Sequence, residues 1–403
     1  MTSLGQVRAT PARSDRMALV AFTILALALP VAMMTYRSLP LLMAVAAALF
    51  LLASRSQGHG AWRTDRILTV ATAAFFAVAA VTLAWTPEKP EAAEVLAVHV
   101  GLPVLLGLWL AGQPRPAVGG AWLVLLPAGL MLAAVILFVE MRTGLVLHRL
   151  ARANLNPSKM NQATVVAVLW LWPVALIAAR TLGRVAAGVL VAAVALAVFA
   201  SESETAKLAL IVGLAAGLVF LLRWRWLVAA LAVAVALFVM MQPFWPTILD
   251  NVLSQSALDA LQQGHARERL VIWRSFAAAV GMKPIFGFGF DSSGTIGFGP
   301  LLSLFPEALR VGIRDSHPHN MALQIWVELG VVGAALAAFA LARATLLMGR
   351  HTPSARAAAA ACIGSALLVA AVGYGAWQAW WVTALAMLPV LLKLADPQPD
   401  EAA

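Results

Sequence analysis

Asp315-Ser316-His317-Pro318-His319-Asn320 sets two imidazoles, a carboxylate and an amide directly before the apolar run 321–342. Imidazole gains and loses its proton near neutral pH, so His317 and His319 read as acid-base equipment. Asp315 or Ser316 is expected to cap the following helix, with Pro318 and His319 in its first turn. The partial positive charge of a helix N-terminus would keep His319 neutral, as a base must be, and draw an anion close. Beyond the mouth, Asn320, Gln324 and Glu328 recur at four-residue spacing and form a polar stripe on one helical face. Glu328 falls about 12 Å deeper than Asn320, so the stripe must face the bundle interior or a wet cavity. Two plainer readings stand beside this one. Both rings could simply hydrogen-bond at a membrane surface, or they could hold zinc, although Pro318 restricts the backbone that such ligation needs.

The elements that position these groups are membrane helices. The 403-residue chain is 62% apolar and only 11% charged, with a mean hydropathy of +0.88, far from a soluble domain with about 25% charged residues. The expected fold class is an all-α polytopic membrane protein of about twelve transmembrane helices with a long, partly helical periplasmic loop. Apolar runs lie near 17–36, 39–54, 67–84, 95–112, 118–139, 160–179, 185–200, 205–222, 226–242, 321–342, 357–373 and 376–392. Residues 1–242 are thus expected to hold helices 1 to 9, 243–318 the long loop, and 319–403 helices 10 to 12. Fifteen of the 28 basic residues, among them Arg8, Arg13, Arg16, Arg55, Arg63, Arg115, Arg225 and Lys393, fall on the side of the termini. Arg37, Lys89 and Lys207 lie in the short loops opposite. Positive charge marks the cytoplasmic side, so both termini are expected there. The run 17–36 is long for a cleaved signal and reads as a retained helix.

The net charge of +10 is largely explained by orientation, and without a long basic run it does not point to nucleic acid. Cys362 is the only cysteine, which rules out a disulfide framework within one chain. Two segments depart from a plain bundle. The stretch 140–159 carries Arg142, His148, Arg149, Arg152 and Lys159 on the side where basic residues should be scarce. It reads as an interfacial helix whose Arg stems lie among Leu145, Leu147 and Leu150, and Arg142, Arg149 and Arg152 could also grip a phosphorylated lipid. The second segment, 243–318, holds Arg269, Arg274, Arg310 and Arg314 and the glycine-rich Gly287-Phe288-Gly289-Phe290, which reads as a structural turn. Trp377, Trp380 and Trp381 fit an aromatic belt at the membrane surface, and Gly330 and Gly333 fit the close approach of a neighbouring helix.

His319-Asn320, nine residues, Gly330, two residues and Gly333 resemble the motif of the O-antigen ligases and the related O-antigen and exopolysaccharide polymerases. Arg269 to Trp273, followed by Lys283-Pro284-Ile285-Phe286-Gly287-Phe288-Gly289, is similar to that family's Arg, Trp and Pro-x-x-Gly-x-Gly run, and Asn154, Asn156, Pro157 and Asn161 resemble it too. The specific part covers roughly 150–340. The resemblance implies a glycosyltransferase of the bacterial inner membrane, working at the periplasmic face without metal or other cofactor and with inversion. Its donor would be a glycan on undecaprenyl diphosphate, and its acceptor lipid A-core for a ligase or a lipid-linked glycan for a polymerase. Ligase is the preferred reading and polymerase the alternative. A lipid-linked glycan transporter is a second alternative, disfavoured because charges other than His99 and Glu328 sit near span ends.

Carried over by motif, His319 would be the base and Arg269 the group that stabilises the departing diphosphate. Arg314, Arg274, His317, Asn320, Lys207, Arg142, Arg149 and Arg152 are the expected substrate-binding residues. The chain departs from the family at Ser201-Glu202-Ser203-Glu204-Thr205-Ala206-Lys207. Many relatives have a basic residue directly after the serine, and here Lys207 stands one turn deeper.

Overall fold

A computed structural model describes residues 13–56, 64–113, 120–224, 226–254, 256, 265–298 and 300–396. Arg8, Arg63, Arg115 and Arg225, which enter the orientation argument, lie outside them. Among the described residues the regular structure is all helix, without strands. In chain order the main helices are α1 (Arg13–Met34), α2 (Leu39–Ser56), α3 (Arg66–Thr82), α4 (Lys89–Gly112), α5 (Leu125–Thr143), α6 (Asn161–Thr181), α7 (Arg184–Ala200) and α8 (Glu204–Phe220). They continue with α9 (Leu227–Met240), α10 (Trp245–Val252), α11 (Ala266–Met282), α12 (Glu307–Ile313), α13 (Met321–Leu347), α14 (Pro353–Val372) and α15 (Ala379–Ala395).

A helix stands at each of the twelve expected apolar runs, but they are not equivalent. Among the described residues seven helices are long and apolar enough to cross a membrane, and α9 with the segment Gln242–Val252, bent by 58°, makes an eighth if counted as one span. α3, α7 and α15 are apolar but shorter, at 17 residues each. At 1.5 Å per residue such a helix reaches about 26 Å, short of about 30 Å of hydrocarbon. The segment between α9 and α13 is partly helical, through α10, α11 and α12.

Local chemistry sets the boundaries. Asp65 caps α3 by accepting from Leu68 N–H and also receives Arg343 in a two-point pair, joining the start of α3 to the far end of α13. That guanidinium holds the Asp65 carboxyl down at about 2. Ser203 caps α8 by accepting from Ala206 N–H. Among the described residues three buried apolar clusters result, a small one joining α8, α9, α14 and α15, and two large ones. One large cluster joins α1, α2, α5, α6, α7, α8, α14 and α15, and the other joins α3, α4, α9, α11, α12 and α13. The tryptophans at the start of α15 lie where the two large clusters meet. Trp380 and Trp381 belong to the first, and Trp377 to the second.

These tryptophans correct the expected aromatic belt. Trp377, Trp380 and Trp381 are 6%, 4% and 0% exposed, so protein rather than lipid covers them. Each indole N–H is taken up internally, by Glu328, Gln378 and the Met321 sulfur respectively. A buried indole needs such a partner, and the polar stripe of α13 supplies one of them.

The expected close helix approach at Gly330 is also corrected, because a loop is what approaches there. Gly330 has φ +63° and ψ −164°, which breaks α13. The backbone of 284–289 fills the break. Val331 and Val332 N–H donate to Pro284 and Ile285 carbonyls, while Phe288 and Gly289 N–H donate to Val327 and Glu328 carbonyls. A Cβ on Gly330 would lie 2.2 Å from the Ile285 oxygen, and one on Gly287 would lie 2.3 Å from the Glu328 carbonyl carbon. The two glycine motifs are therefore the two sides of one crossing, and neither tolerates a side chain.

Candidate active site

The residues 315–319 do not join α13. Asn320 is its N-cap, accepting from Leu323 N–H at 2.9 Å, and His319 has φ +50°. This corrects the expectation that Asp315 or Ser316 caps the helix and that His319 lies in its first turn. The reason lies in Asn320, whose short amide reaches the free N–H three residues on, so the chain before it turns instead of continuing the helix. The Asn320 amide also donates to Gln242 Oε1 at 2.6 Å, fixing the turn against the end of α9. With 3% exposure, Asn320 is committed to holding the turn.

α11 fixes the same turn from the other side. Trp273 Nε1–H donates to the Pro318 carbonyl at 2.9 Å. Arg269 stands four residues earlier, on the same helical face, and therefore opens toward the same place. The spacing Arg269 to Trp273 thus couples an anchor to a charge.

His319 Nδ1 lies 3.2 Å from the Gly373 carbonyl, which can only accept, so Nδ1 carries a proton and Nε2 is the ring nitrogen left for acid-base exchange. Asp315 Oδ1 is 3.7 Å from Nε2. The His317 ring packs edge-on to His319, with centroids 4.3 Å apart. His317 Nδ1 accepts the His319 backbone N–H at 3.1 Å, which requires an unprotonated Nδ1. Burial holds His317 well below its ordinary range, at about 4, and the charges of His319 and Arg269 act in the same direction against the opposing pull of Asp315. His317 is thus a neutral buttress for the turn.

These groups open into one cavity of about 1620 Å³. Arg269, His317 and His319 line it together, with Trp273, Gln324 and Tyr374. Arg269 Nη1 is buried and has no hydrogen-bond partner. Burial disfavours its charge, with Tyr374 and Glu268 opposing that effect. A guanidinium N–H without an acceptor in a cavity wall is ready for an anionic oxygen.

The polar stripe of α13 faces inward as expected. Asn320, Gln324 and Glu328 are 3%, 4% and 0% exposed. Glu328 accepts from Asp291 N–H (2.5 Å), Ser293 Oγ–H (2.6 Å), Ser293 N–H (3.3 Å), Gln324 Nε2–H (2.9 Å) and Trp377 Nε1–H (2.5 Å). Five donors fill its lone pairs, so it ties α13, the loop after Gly289 and the α14–α15 connection into one piece. Gln324 Oε1 accepts from Ala376 N–H at 2.7 Å and extends that tie. Asp291 lines the cavity, and burial raises its carboxyl to about 6.

The other expected substrate-binding residues stand apart. Arg274 pairs with Asp250 through Nε at 2.8 Å and through its Nη2, linking α11 to α10. Arg314 ends α12, is exposed and does not line the cavity. Lys207 Nζ donates to Glu204 Oε1 at 2.7 Å, and it is Glu204, not Lys207, that lines the cavity. Arg142, Arg149 and Arg152 are exposed and off the cavity, Arg142 lying over the Phe138 ring. Their segment is closed by Glu140, which accepts from Leu147 N–H at 2.6 Å and contacts the His148 ring.

Tyr36, Arg37, Tyr374 and Gln378 line the cavity and carry no motif. One signal was present in the sequence: the chain has only two tyrosines, and both are here. Arg37 had stood out only as a basic residue on the wrong side.

Residues 187–338 match the family described as O-Antigen ligase. Proteins named "Putative polysaccharide ligase" in Rickettsia prowazekii and Rickettsia felis are 32% and 33% identical to the chain over 133 and 134 residues. One from Rickettsia bellii is 28% identical over 153 residues. The first two matches cover 33% of this chain and 33% of each relative, and the third 37% and 38%, so the chain spans about a third of the length of the curated relatives it matches. Arg269, the 284–289 loop, the 315–320 turn and the broken half of α13 all fall inside 187–338, so the segment that builds the histidine and arginine wall of the cavity is the one that carries the O-antigen ligase signature.

Proposed function

We propose that this protein transfers a glycan from a lipid diphosphate, most simply undecaprenyl diphosphate, to an acceptor hydroxyl, and that it acts as a ligase. The observation that carries the reading is the meeting of His319, anchored through Nδ1, and Arg269, with an unpaired buried Nη1, in one large cavity. The acceptor O–H gives its proton to His319 Nε2 as its oxygen bonds to the anomeric carbon. On the opposite face the bond from that carbon to the diphosphate oxygen breaks, and the electron pair leaves with the diphosphate. Configuration inverts. Charge grows on the leaving oxygen as the bond stretches, so a preset guanidinium stabilises the transition state more than the ground state. Nδ1–H on the Gly373 carbonyl fixes the ring and leaves Nε2 as the nitrogen that takes the proton.

In this reading the chain crosses the inner membrane twelve times with both termini in the cytoplasm, and the cavity opens on the periplasmic side. The seven long apolar helices and the distribution of basic residues support it. The test is purified protein incubated with undecaprenyl-diphosphate glycan and, separately, lipid A-core and a second lipid-linked glycan, with products weighed by mass spectrometry. Transfer to lipid A-core is the expected result. Extension of the lipid-linked glycan alone would make the protein a polymerase, and no transfer to either would sink the proposal.

A further inference from the structure

Four buried polar side-chain atoms lack a hydrogen-bond partner among the described residues: Gln162 Oε1, Trp245 Nε1, Arg269 Nη1 and Thr383 Oγ1. Three of them, on Gln162, Arg269 and Thr383, belong to residues lining the one cavity described above. Unpaired buried polar atoms are rare because each forfeits its hydration without replacement. Their convergence marks a place that a polar ligand completes. Arg269 suits a phosphate. Gln162 and Thr383 bring no charge, and the unfilled Gln162 Oε1 only accepts, so it suits a hydroxyl donor, while the Thr383 hydroxyl can donate and accept.

Thr383 is the more telling of the two. Thr23, Thr69, Thr143, Thr164, Thr181 and Thr345 all donate back to the carbonyl four residues earlier, at 2.8 to 3.0 Å. This is how a helical threonine disposes of its hydroxyl inside an apolar bundle. Thr383, 2% exposed in the second turn of α15, makes no such bond. The cavity-lining residues of α15 are Ala379, Trp380, Thr383, Ala386 and Met387, a helical stripe in which Thr383 is the only hydroxyl. Next to it, Trp380 meets Tyr36 and Tyr374 edge-on, with centroids 6.2 and 4.7 Å away, and all three rings line the cavity. Gln162 comes from α6, which runs beside α15 in the same direction: Trp170 Nε1–H donates to the Ala384 carbonyl and Arg180 to the Ala395 carbonyl. That register places Thr383 on the order of 10 Å further along the cavity than Gln162, about the span of two sugar rings.

The geometry points to a neutral saccharide subsite in which Gln162 and Thr383 bond ring hydroxyls and the Trp380 cluster packs on the apolar face of a sugar, separate from the anion position at Arg269. It rests on the glycan-transfer reading and adds that the cavity is divided, with cationic and histidine chemistry on the α11 side and uncharged hydroxyl recognition on the α6 and α15 side. Such a wall selects sugars by hydroxyl pattern, since none of its cavity-lining residues on α6 and α15 carries a charge.

The test uses the full chain in a sugar-free zwitterionic detergent, titrated with maltotriose, chitotriose, mannotriose and inorganic pyrophosphate. Tryptophan fluorescence is the readout, since Trp273, Trp377 and Trp380 line the cavity. At least one trisaccharide should bind. Thr383→Val, which keeps the shape and removes the hydroxyl, and Gln162→Leu should each weaken that binding about five- to tenfold, as expected for one lost hydrogen bond, with pyrophosphate affinity unchanged. Thr383→Ser should restore it, and Arg269→Ala should show the reverse pattern. Saccharide affinity equal to wild type in both variants, an equal loss for pyrophosphate, or a wild type that binds no trisaccharide would each overturn the subsite. The titration contains no lipid donor and reads no transfer. A protein that binds sugar through Thr383 but never transfers glycan would therefore remove the proposed reaction and leave the subsite, and the opposite result would do the converse.

Discussion

The turn around Arg152 and the helix around Arg269 are both basic and both interrupt the apolar pattern, yet the fold treats them in opposite ways. Arg142, Arg149 and Arg152 are exposed and away from the cavity. Arg269 is single, buried at Nη1, unpaired and beside the histidine turn. Number of charges counts for little, because an exposed guanidinium is already solvated by water and gains little from a ligand. A buried one without a partner gains much more. Arg274 and Lys207 make the point again, since Asp250 and Glu204 already occupy them.

The contrast can be broken most sharply at the turn itself. His319→Ala should lower glycan transfer by about 10²- to 10⁴-fold while the protein still inserts and accumulates, as measured by product formation per mole of purified protein. Full activity in that variant would remove the base from the mechanism. Arg269→Ala should lower the turnover rate by about 10²- to 10³-fold, and Arg269→Lys should recover only part of it, because an ammonium cannot present two parallel donors. Recovery to wild-type rate by lysine would argue against two-point binding of an anion.

Next in size is Gly330→Ala, which acts through the scaffold. A methyl group at φ +63°, facing the Ile285 carbonyl at 2.2 Å, should lower stability by at least about 1–2 kcal/mol, visible as a reduced melting temperature in detergent. Asp291→Asn should show a dependence on pH. Burial raises this carboxyl from 3.8 to about 6 in the folded protein, so the folded state favours the protonated acid. That contribution is complete below about 3.8 and is lost as pH rises through about 6. Wild type and variant should therefore melt together near pH 4 and diverge by roughly a few °C in favour of Asn at pH 7. A gap that grows toward low pH would contradict this. The smallest effect is expected for Arg142, Arg149 and Arg152 changed together to Gln, which should leave transfer within a few-fold of wild type. A loss matching Arg269→Ala would erase the distinction between the two basic regions.

Much of the site was legible because it is written in short spacings. The four-residue rhythm of Asn320, Gln324 and Glu328 fixes one helical face whatever the fold around it, and the apolar runs fix where helices form. The N-terminus of α13 was misplaced because several residues in 315–320 can cap a helix, and the choice depended on Gln242, 78 residues away, which holds Asn320. The tryptophans of 377–381 were misassigned for a related reason. Composition cannot distinguish a ring facing lipid from one whose N–H meets a buried carboxylate.

Residue types and their local periods alone determined that the chain is helical and apolar, that a histidine pair stands at the mouth of a helix with an inward polar stripe, and that glycines cluster at 287–289 and 330–333. They act within a few residues of one another, and sequence order fixes such distances. Tertiary structure alone decided that Arg269 is buried at an Nη1 without a partner, that the two glycine clusters close on each other, and that Tyr36, Gln162, Tyr374 and Thr383 share a cavity with His319. Those relations join residues tens to hundreds of positions apart, and what selects them is the competition of every buried polar group for a partner.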